Sequence, residues 1–289
     1  MKVVIAGGTG LIGSALAASL AADGHDVVIL TRRGGSFLPH GARLARWDGR
    51  TVTNEWAPEL AGADAVVSLA GAGIGAKRWS VAYRNEILRS RVDANHALVT
   101  AMEKLPPAER PRVLVSASGA DFYGDTGERE VSEEDGPGGS FLANVCVQWE
   151  AAARRAEELG VRVVLVRTAF VLGKGAEGFR KLVLPFRLFA GGALGDGRQW
   201  FSWVHGDDAA GIYRLALEQE QATGPLIAAA PVPVRQRDLA RGIGRVLGRP
   251  WWLPAPEFAL RLALGRQADL LLHSHRVVPA KALAMGYRF

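Results

Sequence analysis

Glycines recur at three-residue steps in Gly7-Gly8-Thr9-Gly10-Leu11-Ile12-Gly13. Glycine at such points lets the chain turn tightly and brings backbone N–H groups close to a bound anion. The chemistry on offer is phosphate binding. Farther along, Thr31, Arg32 and Arg33 put a hydroxyl beside two guanidinium groups, and an arginine fork can hold a phosphate in a bidentate, charge-assisted contact. His205-Gly206-Asp207-Asp208 offers a base or a metal ligand set, or else the start of a helix capped by aspartate. Cys146 is the single cysteine, a nucleophile if a positive neighbour lowers its pKa and otherwise small apolar filler on a helix face. His273 and His275 flank Ser274 without neighbouring acidic ligands and read as surface residues, and no metal site is expected.

These residues need elements to hold them. Val3-Val4-Ile5-Ala6 is a short apolar run before the glycines, and Leu11, Ile12, Leu16 and Leu20 follow at helical spacing until Gly24. Val27 to Leu30 is a second β-branched run, so the first thirty residues spell one βαβ unit with parallel strands and a right-handed crossover. Further strand-like runs lie at 43–47, 65–69, 113–116 and 161–166, separated by helical stretches at 84–102 and 148–159. The alternation predicts an α/β protein, a Rossmann-like doubly wound parallel sheet over residues 1–172. After Leu172 the chain becomes rich in glycine and aromatics, and then in proline. Residues 173–200 and 231–289 are expected to form a smaller α/β substrate lobe, with part of 200–230 returning to the sheet.

In this context the glycine pattern carries weight: strand before, helix after, and a second strand close behind are what dinucleotide binding demands. The end of the second strand separates NAD from NADP. A carboxylate there accepts hydrogen bonds from the ribose hydroxyls, whereas an arginine pairs with a 2′-phosphate. Leu30-Thr31-Arg32-Arg33 carries no acid at this point, which points to NADP(H); two solvated arginines in a loop are the alternative.

Beyond the glycines, Asp64-Ala-Val-Val-Ser-Leu-Ala-Gly71, Ser116-Ala-Ser118 and Trp203-Val-His-Gly-Asp-Asp208 resemble an extended short-chain dehydrogenase/reductase, the superfamily of the sugar-nucleotide epimerases. Lys77-Arg-Trp79, Glu86 to Arg91, Phe141 to Glu150, Leu184-Pro-Phe186, Gly195 to Trp200 and Gly286 to Phe289 narrow the resemblance to an atypical branch of epimerase family proteins. It spans nearly the whole chain, and from about Pro233 onward resembles that branch's C-terminal domain of unknown function. The glycine turn supplies cofactor contacts at Gly7, Gly8, Thr9, Gly10, Leu11, Ile12 and Gly13; the resemblance implies further ones at Thr31 and Arg32. It extends them to Leu69, Ala70 and Gly71, to Glu86 and Arg91, and to Val171. Leu69 and Val171 also suit simple core positions, and Glu86 with Arg91 an exposed helical charge pair. Gly195 to Gln199 resembles the segment with which epimerases hold a nucleotide diphosphate.

Reductases of this superfamily pair a Ser or Thr with a Tyr and with a Lys four residues after the Tyr. A free tyrosine has a pKa near 10, so an adjacent ammonium must favour the phenolate for it to act as a base near neutrality. Extended members commonly carry a Glu eight residues after that Tyr. Placing it on Glu150 puts Leu142 at the Tyr position and Cys146 at the Lys position, and neither can move a proton this way. Ser116, Ser118 and Tyr123 remain as candidate catalytic residues, the serines to hydrogen-bond a carbonyl and Tyr123 as proton donor. Turn-forming serines and an aromatic packed on substrate are the plainer alternatives.

Composition limits the remaining classes. Hydrophobic residues at 48% and charged residues at 22% exclude disordered, collagen-like and coiled-coil chains. One cysteine permits neither an internal disulfide nor a cysteine zinc site, which suits a cytoplasmic protein. Residues 3–22 carry no charge, but Gly7, Gly8, Gly10 and Gly13 break the apolar run a signal peptide needs, and no membrane partner is expected. The net charge of +6 suits a polyanionic ligand. Arg237, Arg241, Arg245 and Arg249 would stack along one helix face, yet no aromatic interleaves them in sequence, so a solvated face is expected and no nucleic acid. Two functions compete: an NADP(H)-dependent oxidoreductase or epimerase-like enzyme acting on a small-molecule hydroxyl or carbonyl, and a non-catalytic, redox-responsive NADP-binding module. Substrate identity and oligomeric state are not legible.

Overall fold

Alternate residues of the apolar runs face opposite ways, and both faces are buried, which is why these strands read as continuous hydrophobic stretches. Val3, Ile5, Val27 and Ile29 share one core with Leu16, Leu20, Ile212 and Tyr213. Val4, Ala6, Val28 and Leu30 share the other with Leu98, Met102, Trp47 and Trp56. A sheet covered by helices on both sides follows.

The computed structural model describes residues 1–32 and 41–289. The sheet strands met first in the chain are β1 (Lys2–Ala6), β2 (Asp26–Thr31), β3 (Ala42–Arg46), β4 (Ala65–Ser68), β5 (Val113–Gly119) and β6 (Arg162–Thr168). The short strands β7 (Phe170–Leu172), β8 (Trp200–Phe201) and β9 (Trp203–His205) precede β10 (Gly224–Ala228), and β11 (Val234–Arg235) is last. The main sheet has seven strands in the order β10-β6-β5-β4-β1-β2-β3. All its pairings are parallel. The doubly wound architecture expected from the sequence is therefore present. Chain order reverses between β1 and β4, opening a crevice at the carboxyl ends of those strands, where such sheets bind ligands.

Helices α1 (Leu11–Ala22), α2 (Val81–Glu103) and α3 (Phe141–Arg154) belong to the sheet, and α4 (Glu177–Arg187) leaves it. α5 (Gly206–Glu218) returns to it, its Ile212, Tyr213 and Ala216 joining the core beneath α1. α6 (Gln236–Leu247), α7 (Glu257–Leu264), α8 (Asp269–Leu272) and α9 (Ala280–Ala284) follow. A satellite core of Val183, Phe186, Ala240 and Ile243 ties α4 to α6. Among the described residues, no helix is long and apolar enough to cross a membrane.

Several expectations need correction. α3 begins at Phe141 rather than Gln148, because the Ser140 hydroxyl accepts from the Ala143 amide and starts the helix there. This puts Leu142 and Cys146 on the same helix as Glu150. The end of the chain meets the sheet: Ala282 is buried in the main core, and the Lys281 ammonium donates to the Thr223 and Pro225 carbonyls. α5 starts without an aspartate cap: the His205 ring accepts from the Asp207 amide, leaving Asp207 and Asp208 in the first turn. Arg249 drops out of the arginine stripe because Gly248, at φ 61°, ends α6 before it.

Candidate functional site

The turn between β1 and α1 shows why glycine is required. Gly7 has φ 82°, and a Cβ on it would sit 2.9 Å from the Leu69 and Ala70 backbone. A Cβ on Gly13 would lie 2.7 Å from the Gly7 carbonyl oxygen, so the helix could not pack this closely onto the turn. A Cβ on Gly8 would strike the Ile29 side chain. Gly10 starts α1 with no side-chain cap and no acidic residue in the first turn. Among the described residues, the Leu11, Ile12 and Gly13 amides at the front of the helix have no hydrogen-bond acceptor, and they point with the positive end of the helix dipole out of the turn.

In front of them lies a cavity of about 220 Å³. Gly7, Thr9, Gly10, Thr31, Arg32, Leu69, Ala70, Gly71 and Glu86 line it together, with Trp47, Asp48, Gly49, Arg50, Ala72 and Ser90. Arg33 lies outside the described residues. Other expected contacts stand back from the cavity. Gly8 and Gly13 pack behind the loop, Leu11 is half-buried at the helix start, and Ile12 leans on the core. Arg91 does not form a surface charge pair with Glu86. Its guanidinium is buried, donates to the Ala72 carbonyl at 3.0 Å and the Ile87 carbonyl at 2.9 Å, and stacks on Trp149. Burial lowers its pKa, and its reach toward the cavity is through the Gly71–Ala72 backbone that it holds. Val171 sits half-buried on β7, paired with Val204.

Sequence reasoning passed over Asp48 and Arg50. The Asp48 carboxylate accepts from the Arg50 and Thr51 amides at 2.9 and 2.8 Å, building the turn that carries Arg50 to the cavity rim.

At the end of β5 the structure has a closed polar network. Arg167, only 3% exposed, donates to both Glu150 carboxylate oxygens at 2.9 Å and to the Tyr123 hydroxyl at 2.9 Å. Ser118 donates to the same carboxylate at 2.7 Å. Burial would drain the guanidinium of its proton, but the Glu150 carboxylate more than offsets this and raises its pKa. Tyr123 is 2% exposed, and burial pushes its phenol up to about 12 although Arg167 pulls the other way. Ser116, fully buried, accepts from the Asn95 amide at 2.9 Å and donates to the Ala117 carbonyl. The three candidate catalytic hydroxyls are thus engaged inside the protein, and none lines the cavity. Cys146 is buried in α3 against the Gly119 carbonyl, and burial pushes its thiol up to about 12, leaving little thiolate for nucleophilic attack. Arg167 did leave a signal: it is the one charge inside the run Val163-Val164-Leu165-Val166-Arg167, and an arginine in a strand buried on both faces needs a carboxylate.

The two histidines also differ from expectation. His273 lies 3.6 Å from Asp269, and the Nδ1 of His275 is buried without a hydrogen-bond partner among the described residues. Burial lowers the His275 pKa. A larger cavity, about 490 Å³, is bordered by Asp125, Glu128, Gly195, Asp196, Arg198, Gln199, Arg261 and His273. It contains much of the 195–199 segment and shares no lining residue with the glycine cavity.

A parallel seven-stranded sheet in this order, with a glycine turn and an uncapped helix at its switch point, defines a Rossmann-like nucleotide-binding protein. Residues 3–227 match the NAD dependent epimerase/dehydratase family, and the chain belongs to it. Residues 255–289 match a domain of unknown function, DUF1731, a narrower span than the Pro233 start expected. The chain is 38% identical to the chloroplastic epimerase family protein SDR39U1 homolog of Arabidopsis thaliana, covering 100% of this chain and 83% of that protein. It is 35% identical to epimerase family protein YfhF of Bacillus subtilis, over 100% of this chain and 94% of the other. The crystal structure of human epimerase family protein SDR39U1 with NADPH superposes with a TM-score of 0.88 at 36% identity, covering 100% of this chain and 95% of that one. The UDP-glucose 4-epimerase of Thermotoga maritima, at 18% identity and a TM-score of 0.79 over 100% of this chain and 93% of its own, shares the fold.

Proposed function

We propose that the chain binds NADP(H) in the glycine cavity and is an oxidoreductase or epimerase-like enzyme acting on a hydroxyl or carbonyl of a small or nucleotide-linked molecule. The observation that carries this reading is the conjunction, in one cavity, of an uncapped helix N-terminus, a turn with no room for a Cβ at Gly7, Gly8 or Gly13, and Arg32. Free amides suit a pyrophosphate, and Arg32 with Thr31 suits a 2′-phosphate. The NADPH held by the human relative supports the same choice. Glu86, half-buried on the cavity wall, is placed to accept hydrogen bonds from nucleotide hydroxyls. When bound, NADPH supplies a hydride.

Replacing Arg32 with Ala tests the cofactor assignment. Losing one charge-assisted phosphate contact should weaken NADPH binding by about 1.5–3 kcal/mol, roughly ten- to a hundredfold, and leave NADH nearly unchanged. Binding is read from nicotinamide fluorescence, and an equal loss for both cofactors refutes the assignment.

The second reading, a redox-responsive binding module without turnover, is favoured by one observation. Ser118 and Tyr123 are locked onto Glu150 and Arg167, and the family spacing, with its Glu placed on Glu150, puts Leu142 and Cys146 where the Tyr and Lys would stand. NADPH oxidation across a panel of carbonyls and sugar nucleotides separates the two. Turnover abolished by Ser116→Ala, Ser118→Ala or Tyr123→Phe favours the enzyme and gives that hydroxyl its role. Tight NADPH binding without turnover, and a protein partner retained only with NADPH present, favours the module.

A further inference from the structure

The arginines of α6 and the tryptophan pair after it play no part in the glycine cavity. The fold brings aromatics to them that the sequence kept apart: Arg241 stacks on Trp251 at 5.2 Å and Arg249 on Phe189 at 4.3 Å. The Leu253 amide donates to the Gly191 carbonyl at 3.1 Å, so the loop after α6 and the loop after α4 form one surface. Trp252 projects from it, 69% exposed. Next along the chain, α7 buries none of its residues although six of its eight are Phe, Leu or Ala. Its Phe258 and Leu262, four residues apart and so on one face, are 75% and 80% exposed. A helix of this composition ordinarily gains its stability by burying an apolar stripe.

Charge and shape select the occupant. Of the seven arginines between residues 235 and 266, Arg235 pairs with Glu128, Arg241 with Asp238, and Arg261 with Glu257 and Asp269, whereas Arg237, Arg245, Arg249 and Arg266 have no ion pair among the described residues. An anionic surface is therefore complementary. Nucleic acid would stack on the rings but would leave the aliphatic side chains in water. A folded protein partner would need a groove to receive, whereas these side chains project outward. A fluid lipid interface admits projecting Trp, Phe and Leu to the headgroup–acyl boundary, while arginines reach phosphates from their alkyl stems.

We propose that the second lobe seats this protein on the surface of an anionic phospholipid membrane, with Trp252, Phe258 and Leu262 inserted and the α6 arginines against the headgroups. This departs from the expectation of no membrane partner, which rested on the lack of a spanning segment. Interfacial docking requires none.

The test is co-sedimentation of the full chain with vesicles of phosphatidylcholine alone and with vesicles containing about 30% phosphatidylserine. The wild type should bind the anionic vesicles at least about tenfold better, and raising the salt should weaken that binding. Trp252→Ser with Phe258→Ser should lower the bound-to-free ratio by about tenfold or more, and Arg245→Glu should lower it further. Circular dichroism checks that the exposed substitutions leave the fold intact; should the double variant unfold, Leu262→Gln alone serves instead. Three outcomes overturn the proposal: no preference for anionic vesicles, binding that the apolar substitutions leave unchanged, or a solution dimer that those substitutions dissociate.

Discussion

Arg167→Met should be among the most destabilising substitutions in the chain. The methionine removes two hydrogen bonds to Glu150 and one to Tyr123, each 2.9 Å, and a guanidinium stacked 3.4 Å over Phe122. Glu150 is then left as a buried carboxylate with Ser118 as its sole donor among the described residues. Breaking one side of a buried pair costs about 3–5 kcal/mol, and the orphaned Tyr123 hydroxyl adds about 1 kcal/mol. Against a total stability of about 5–15 kcal/mol, such a loss leaves little reserve. Glu150→Leu should cost a similar amount, by stranding the cation instead. The double variant removes both charges and leaves two unpaired hydroxyls, at about 2–3 kcal/mol, so it should be more stable than either single variant. Urea unfolding midpoints at unchanged slope measure the cycle. A double variant as unstable as the sum of the singles would refute the claim that the pair acts as one buried unit.

Other outcomes follow from the same physics. Gly13→Ala should abolish NADPH binding and lower stability, because its Cβ would stand 2.7 Å from the Gly7 carbonyl oxygen, a backbone atom that cannot yield alone; paired nucleotide titrations and thermal melts check it. Cys146, with its thiol pushed up to about 12, should react with iodoacetamide about a thousandfold more slowly than an exposed cysteine, and only unfolding should release it. His275 should make the fold acid-sensitive. Above about pH 6.5 neither the folded nor the unfolded chain carries a proton there, whereas below it the unfolded chain takes one up that the buried ring resists, so stability falls as pH drops toward the depressed folded value. The charges facing the ring are Asp121, Asp125 and His273. His275→Gln should flatten the stability profile below about pH 6.5, measured by denaturant titration.

Much of the sheet was legible because its strands are short, apolar and rich in valine, and the glycine turn needed only its neighbours in sequence to be read. Helix starts were less legible. Ser140 caps α3 at a point where the apolar periodicity alone gave no boundary, and His205 caps α5 where an aspartate was expected. The Arg249–Phe189 stack was invisible because Phe189 lies some sixty residues upstream, and the Arg241–Trp251 stack because Trp251 follows the end of α6, off the helical spacing of the arginines.

By itself the sequence determined the parallel α/β sheet and the glycine turn; only the family resemblance, aligned on Glu150, set Leu142 and Cys146 against the Tyr and Lys positions. The sheet and the turn depend on residue identity and local spacing, which survive in one dimension. Only the tertiary structure decided what surrounds Glu150. Ser118, Tyr123, Glu150 and Arg167 come from two strands, a short turn and a helix, and they meet because the register of β5 on β6 sets Ser118 beside Arg167. Burial then forces the charges to pair, since a lone carboxylate or guanidinium at that depth would cost more than the fold can bear.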